Sequence, residues 1–166
     1  LLITLIFITP ALSSQDREAT LIFGGFKFTE GPCADEKGNV YFSDIPENKI
    51  YKWNGSEIEL FTDKVDGCNG LMFIDEENIV ICESGRGRKV SQINLETKEI
   101  KVLAGSYEGK LFNGPNDLWI DKKGGIFFTD PLYGNRNNIE LDTEQVYYIS
   151  PSGNAIKRVT HDLNKP

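Results

Sequence analysis

Short apolar runs separated by polar turns recur along the chain. The clearest unit spans Asn113 to Gly134, NGPNDLWIDKKGGIFFTDPLYG. Gly114-Pro115 signals a turn that delivers Asn116 and Asp117 to the start of a strand, Leu118-Trp119-Ile120. Asp121-Lys122-Lys123-Gly124-Gly125 reads as a hairpin turn. A second strand, Ile126 to Thr129, then ends at Asp130-Pro131, where proline stops ladder pairing.

The unit occurs three times. Glu30 to Asp44, Asn69 to Glu83 and Asn116 to Asp130 align on Asp35, Asp75 and Asp121, which are 40 and 46 residues apart. Two further strand-like runs follow each copy. They are Lys49–Trp53 with Ile58–Phe61, Lys89–Ile93 with Ile100–Leu103, and Gln145–Ile149 with Ala155–Val159. No window shows a helical period. A repeat of this length made of four short strands predicts an all-β chain, a β-propeller with about three four-stranded blades. Three blades do not close a ring, so the chain reads as roughly half of a larger protein.

At the N-terminus, Leu1 to Thr9 is an unbroken apolar run, followed by small residues at Ala11 and Ser13. It has the length of a signal-peptide core and is well short of a membrane span; a buried strand is the other reading. Residues 1–14 are expected to be a truncated signal peptide and 15–25 a lead-in. Residues 26–166 are the partial propeller, with blades over 26–65, 66–108 and 109–166. The mature protein is then expected to be exported, with no membrane attachment after cleavage.

Composition narrows the function. The 166 residues carry a net charge of −7, which argues against a nucleic-acid surface, where clustered Lys and Arg are needed. Three cysteines, Cys33, Cys68 and Cys82, fit neither a metal-knuckle spacing nor a complete disulfide framework and read as small buried residues. His161 is the single histidine, which speaks against a Ser-His-Asp mechanism within the chain. No P-loop or dinucleotide fingerprint is present. Trp53 and Trp119 read as core.

The repeat places Glu30, Asn69 or Gly70, and Asn116 at one structural position, the start of the innermost strand. A carboxylate and amide carbonyls converging there without His or Cys would form a hard-oxygen site for Ca2+ or Mg2+. The same side chains could instead cap strand starts. Asp35, Asp75 and Asp121 read as turn residues. Asp44, Glu83 and Asp130 end each second strand and read as hydrogen-bonding the next turn. Gly85-Arg86-Gly87-Arg88 is a basic loop, either an oxyanion grip or a solvated turn.

Together, Glu30-Gly31-Pro32, Gly67-Cys68-Asn69-Gly70-Leu71, Cys82 to Arg88, Asn113 to Leu118 and Phe128 to Gly134 resemble the gluconolactonase family. That family also contains regucalcin (senescence marker protein) and the luciferin-regenerating enzyme. The resemblance runs from about Phe28 to Pro166 and implies a six-bladed propeller in the complete protein. It also implies a divalent metal at the channel mouth, most often Ca2+ with Zn2+, Mg2+ or Mn2+ as substitutes, and a sugar lactone or related cyclic ester as substrate. Carried over by motif, Glu30 and Asn116 are expected as metal ligands. Asp117 is expected beside the metal, binding substrate or ordered water, and Asn69, Glu83 and Arg88 are expected to line the substrate pocket. A further Asn and the acid/base Asp of the family would lie beyond Pro166. The implied chemistry is polarisation of a lactone carbonyl while a carboxylate activates water, with this chain alone inactive. The competing class is a non-catalytic propeller of the strictosidine-synthase or NHL type, binding a ligand or a protein partner.

Overall fold

The computed structural model describes residues 19–133 and 139–166; the expected signal segment at 1–14 lies outside them. Strands β1 (Thr29–Ala34), β2 (Val40–Asp44), β3 (Lys49–Trp53) and β4 (Ile58–Thr62) form one antiparallel sheet in chain order. A second sheet contains β5 (Cys68–Phe73), β6 (Asn78–Glu83), β7 (Lys89–Asn94) and β8 (Ile100–Ala104). A two-stranded hairpin follows, β9 (Ser106–Tyr107) with β10 (Lys110–Leu111). The last sheet is β11 (Leu118–Ile120), β12 (Ile126–Asp130), β13 (Gln145–Ile149) and β14 (Ile156–Thr160). Each four-stranded meander is a propeller blade.

One turn device closes the first hairpin of every blade. Asp35 Oδ1 accepts from the amides of Lys37 and Asn39, Asp75 Oδ1 from Glu77, and Asp121 Oδ1 from Lys123 and Gly125, at 2.7–3.0 Å. A short Asx side chain reaches the amide two residues on, which makes it a turn former.

The middle blade shows how the stack is held. Its strand β6 reads Ile79-Val80-Ile81-Cys82 without alternation, and all four side chains are fully buried. Ile79 and Ile81 pack with Tyr41, Ile50 and Phe61 of the first blade. Val80 and Cys82 pack with Phe112 and with Ile126, Phe128 and Tyr147 of the third. A sheet covered on both faces needs apolar side chains on both, so the period of two disappears.

Each outer blade packs on the middle blade through one face. In β11, Leu118 and Ile120 point toward the middle blade, whereas Trp119 between them is 65% exposed. Within this chain Trp119 is therefore not core as expected; strand alternation sends it to the face away from the middle blade. Trp53 is half-buried, with its Nε1 enclosed and without a hydrogen-bond partner.

The acids that end the second strands bond backward along the chain, where bonding to the next turn was expected. Each reaches back to the segment entering its own blade. Asp44 accepts from the amides of Lys27 and Phe28 at 3.0 and 3.1 Å. Glu83 Oε1 accepts from Asp66 at 3.1 Å. Asp130 accepts from Asn113 and Gly114 at 2.9 and 2.8 Å. Antiparallel pairing sets the end of a second strand beside the entry to the first, where unpaired amides are waiting.

Candidate functional site

The three innermost strands β1, β5 and β11 carry the same irregularity at the same level. Between Glu30 and Cys33, three steps along β1 face two along β2, Ser43 to Tyr41. Between Cys68 and Leu71, three steps along β5 face two along β6, Glu83 to Ile81. In the third blade Thr129 serves both Asn116 and Asp117, accepting from Asn116 N at 3.0 Å and donating to Asp117 O at 2.9 Å. One extra residue in each case makes a β-bulge, a device that re-aims a side chain.

Backbone contacts tie the bulges together. Ser43 Oγ donates to the carbonyls of both Glu30 and Asn69, at 3.1 and 3.0 Å. The Gly70 amide donates to Asn116 O at 2.7 Å. Gly31, at φ +53°, would place a Cβ only 2.4 Å from Asn69 O. The glycines of the Glu-Gly and Asn-Gly pairs are thus what allows neighbouring inner strands to touch.

The result is a cavity of about 510 Å³ to which each blade contributes one predicted residue, Glu30, Asn69 and Asn116. All three are half-buried. Among the described residues their side chains have no hydrogen-bond partner within the protein. Phe28, Ser84, Asn113 and Tyr133 also line the cavity and were not singled out from sequence. Asn113 is held by Nδ2 bonds to Asp130 O and Thr143 O, at 3.2 and 3.0 Å. Only a buried amide could be recognised this way, and burial is not written in the motif.

The other predicted residues lie elsewhere. Glu83 is 1% exposed; its Oε2 accepts from Ser91 Oγ at 2.6 Å and lies 3.7 Å from Lys89 Nζ. With both oxygens committed inside the blade, it does not line the cavity. Asp117 is exposed and outside the cavity lining, and its Oδ1 accepts from its own strand's Leu118 N at 2.8 Å. Arg88 is half-buried in the loop after β6, outside the cavity lining, and its charge acts on Asp130. Burial pushes the Asp130 carboxyl up to about 6, against the pull of the Asn113 and Gly114 amides and of Arg88.

One carboxylate and two amides, unbonded and facing one space, match the oxygen donors preferred by a hard divalent cation. They supply part of a coordination shell that takes about six to eight oxygens for calcium. Among the described residues no group of three or more His, Cys, Asp or Glu side chains could hold a metal alone. Among the described residues, the amides of Asn69 and Asn116 are the oxygen donors that stand beside Glu30.

A stack of four-stranded blades with oxygen donors gathered where the inner strands begin defines a β-propeller with a site at one mouth. The chain belongs to the SMP-30/gluconolactonase/LRE-like family, whose model matches residues 28–166. It is 31% identical over 166 residues to a gluconolactonase of Zymomonas mobilis, covering 88% of this chain and 46% of that protein. A gluconolactonase structure from Xanthomonas campestris superposes with a TM-score of 0.76 at 28% identity, over 82% of this chain and 48% of that one. A calcium-binding regucalcin from Agrobacterium tumefaciens shares the fold, with a TM-score of 0.63 at 13% identity over 83% of this chain and 44% of that one. The chain thus spans about half the length of the relatives it matches.

Proposed function

We propose that the complete protein carrying this chain is a six-bladed, metal-dependent lactonase that hydrolyses a sugar lactone or related cyclic ester. The observation that supports this most is the set of three unbonded polar side chains, one per blade, in a single cavity. Family membership and the gluconolactonase relatives point the same way.

On this reading Glu30 and Asn116 are ligands of a divalent cation, most naturally Ca2+, with Asn69 beside them. When bound, the cation supplies Lewis acidity toward a lactone carbonyl. The side chains of this chain do the placing. Glu30 brings the negative charge that favours a cation. Asn116 and Asn69 bring carbonyl dipoles whose positions are set by the bulges, and Ser84 adds a hydroxyl at the wall. The 166-residue chain alone, about half of its relatives' length, turns over no lactone. The apolar run at residues 1–9 supports export of the mature protein.

The test is hydrolysis of glucono-δ-lactone by the purified complete protein, with and without EDTA. Activity lost on chelation and restored by Ca2+, together with loss in Glu30→Ala and Asn116→Ala, is the expected result. A folded, metal-loaded protein that turns over no member of a lactone panel would replace this reading with a non-catalytic binding propeller.

A further inference from the structure

The cavity is divided by chemistry. Of its polar members, Glu30, Asn69 and Asn116 sit where the inner strands begin, and Ser84 and Asn113 line the wall beside them. Its apolar members are Phe28, Ile45 and Pro46 on the first-blade side and Pro131-Leu132-Tyr133 on the third-blade side. Within this chain Phe28 is 57% exposed and Tyr133 59%, so both rings present apolar surface at the cavity. Exposed apolar surface beside convergent polar groups marks a ligand-binding wall.

The backbone is tied at Phe28 and one residue before Tyr133. The Phe28 amide donates to Asp44 Oδ1 at 3.1 Å, and its carbonyl accepts from Ile45 N at 3.1 Å. Next to Tyr133, the Leu132 amide donates to Glu144 Oε1 at 3.3 Å. Rings carried on pinned backbone lose little freedom on binding, as binding anchors should.

From this arrangement we infer that the cavity selects a lactone bearing an alkyl or aryl substituent, with Phe28 and Tyr133 holding the apolar part while the polar end takes the ester. This rests on the lactonase reading of the cavity. A polyhydroxylated lactone presents hydroxyls around its ring, and each must replace its hydrogen bonds to water. Phe28, Pro131 and Leu132 offer no side-chain partner for them. A cavity of about 510 Å³ falls in the range of about 300–1,000 Å³ that accommodates ligands larger than a bare ring.

Uncleavable lactams separate recognition from turnover. Binding of an alkyl-substituted δ-valerolactam and of the polyhydroxylated gluconolactam to the complete protein is compared by calorimetry, alongside hydrolysis of the matching lactones. The alkyl lactam is expected to bind at least about tenfold more tightly. Phe28→Ser and Tyr133→Ser are each expected to erase most of that preference and Tyr133→Phe to keep it, with all variants checked for folding by circular dichroism. Equal or tighter gluconolactam binding, or a preference that survives both serine variants, overturns the inference. No hydrolysis of any lactone with the alkyl preference intact overturns the lactonase reading and leaves the apolar wall standing.

Discussion

The amide of Gly70 donates to the carbonyl of Asn116 at 2.7 Å, joining the innermost strands of two blades through main-chain atoms alone. A Cβ on Gly70 would lie 2.4 Å from Asp117 Oδ1, 2.8 Å from Asp117 Cα and 2.9 Å from Asn116 O. Two of those neighbours are backbone and cannot swing aside. Gly70→Ala is expected to cost about 1–3 kcal/mol, read as a lower urea midpoint with an unchanged slope. It should also displace Asn116 and lower metal affinity.

Glu83 distinguishes structure from chemistry. Its carboxylate accepts from Ser91 Oγ and from the amide of Asp66 inside the blade. Each hydrogen bond to a buried charge contributes about 1.5–3 kcal/mol. Glu83→Ala is expected to lower the melting temperature while leaving KM for the lactone within twofold. A large rise in KM at unchanged stability would return Glu83 to the substrate pocket.

Asp130 is 0% exposed, and burial raises its carboxyl from 3.8 to about 6. An acid with a raised pKa in the fold binds a proton on folding between those two values. Its contribution therefore makes the protein more stable as pH falls through about 6, and less stable as pH rises toward neutrality, by on the order of 3 kcal/mol. Asp130→Asn cannot ionise. Urea midpoints at pH 4.5 and 7 are expected to show the stability advantage of wild type over Asp130→Asn shrinking with rising pH. A constant difference would show that the carboxyl titrates as it does in water.

The cysteines are expected to be inert. Cys68 and Cys82 are buried, and burial holds both thiols well above their ordinary range. Cys33 is half-buried and pushed up to about 12, first by burial and then by Asp35. The thiolate is the reactive form, so a disulfide-exchange reagent at pH 8 should titrate all three only after denaturant is added.

The three hairpins were legible because their turn aspartates repeat the same local bonds, and a local bond can be read from local sequence. The three cavity donors were legible through the repeat, since equivalent positions point to one place. Glu83 was not, because its motif fixes neither which face of β6 it occupies nor that both faces are buried. Trp119 was misjudged for a related reason: alternation assigns a residue to a face without saying whether that face is covered. The β9–β10 hairpin was missed despite a signal. Glu108-Gly109, at φ 51° and 77°, is a two-residue turn with both central residues left-handed, and Glu in the first place concealed the usual Asn-Gly or Asp-Gly mark.

At the bulges the inner strands meet through carbonyls, amides and glycine Cα atoms, with Ser43 as a side-chain tie between the first two. The radius at which Glu30, Asn69 and Asn116 stand is therefore a property of the main chain. Side chains at those three positions can be exchanged without resizing the opening, so a single scaffold of this kind can be refitted for a different cation or ligand by point changes at the mouth. The neighbouring glycines are what must stay fixed while the chemistry above them varies.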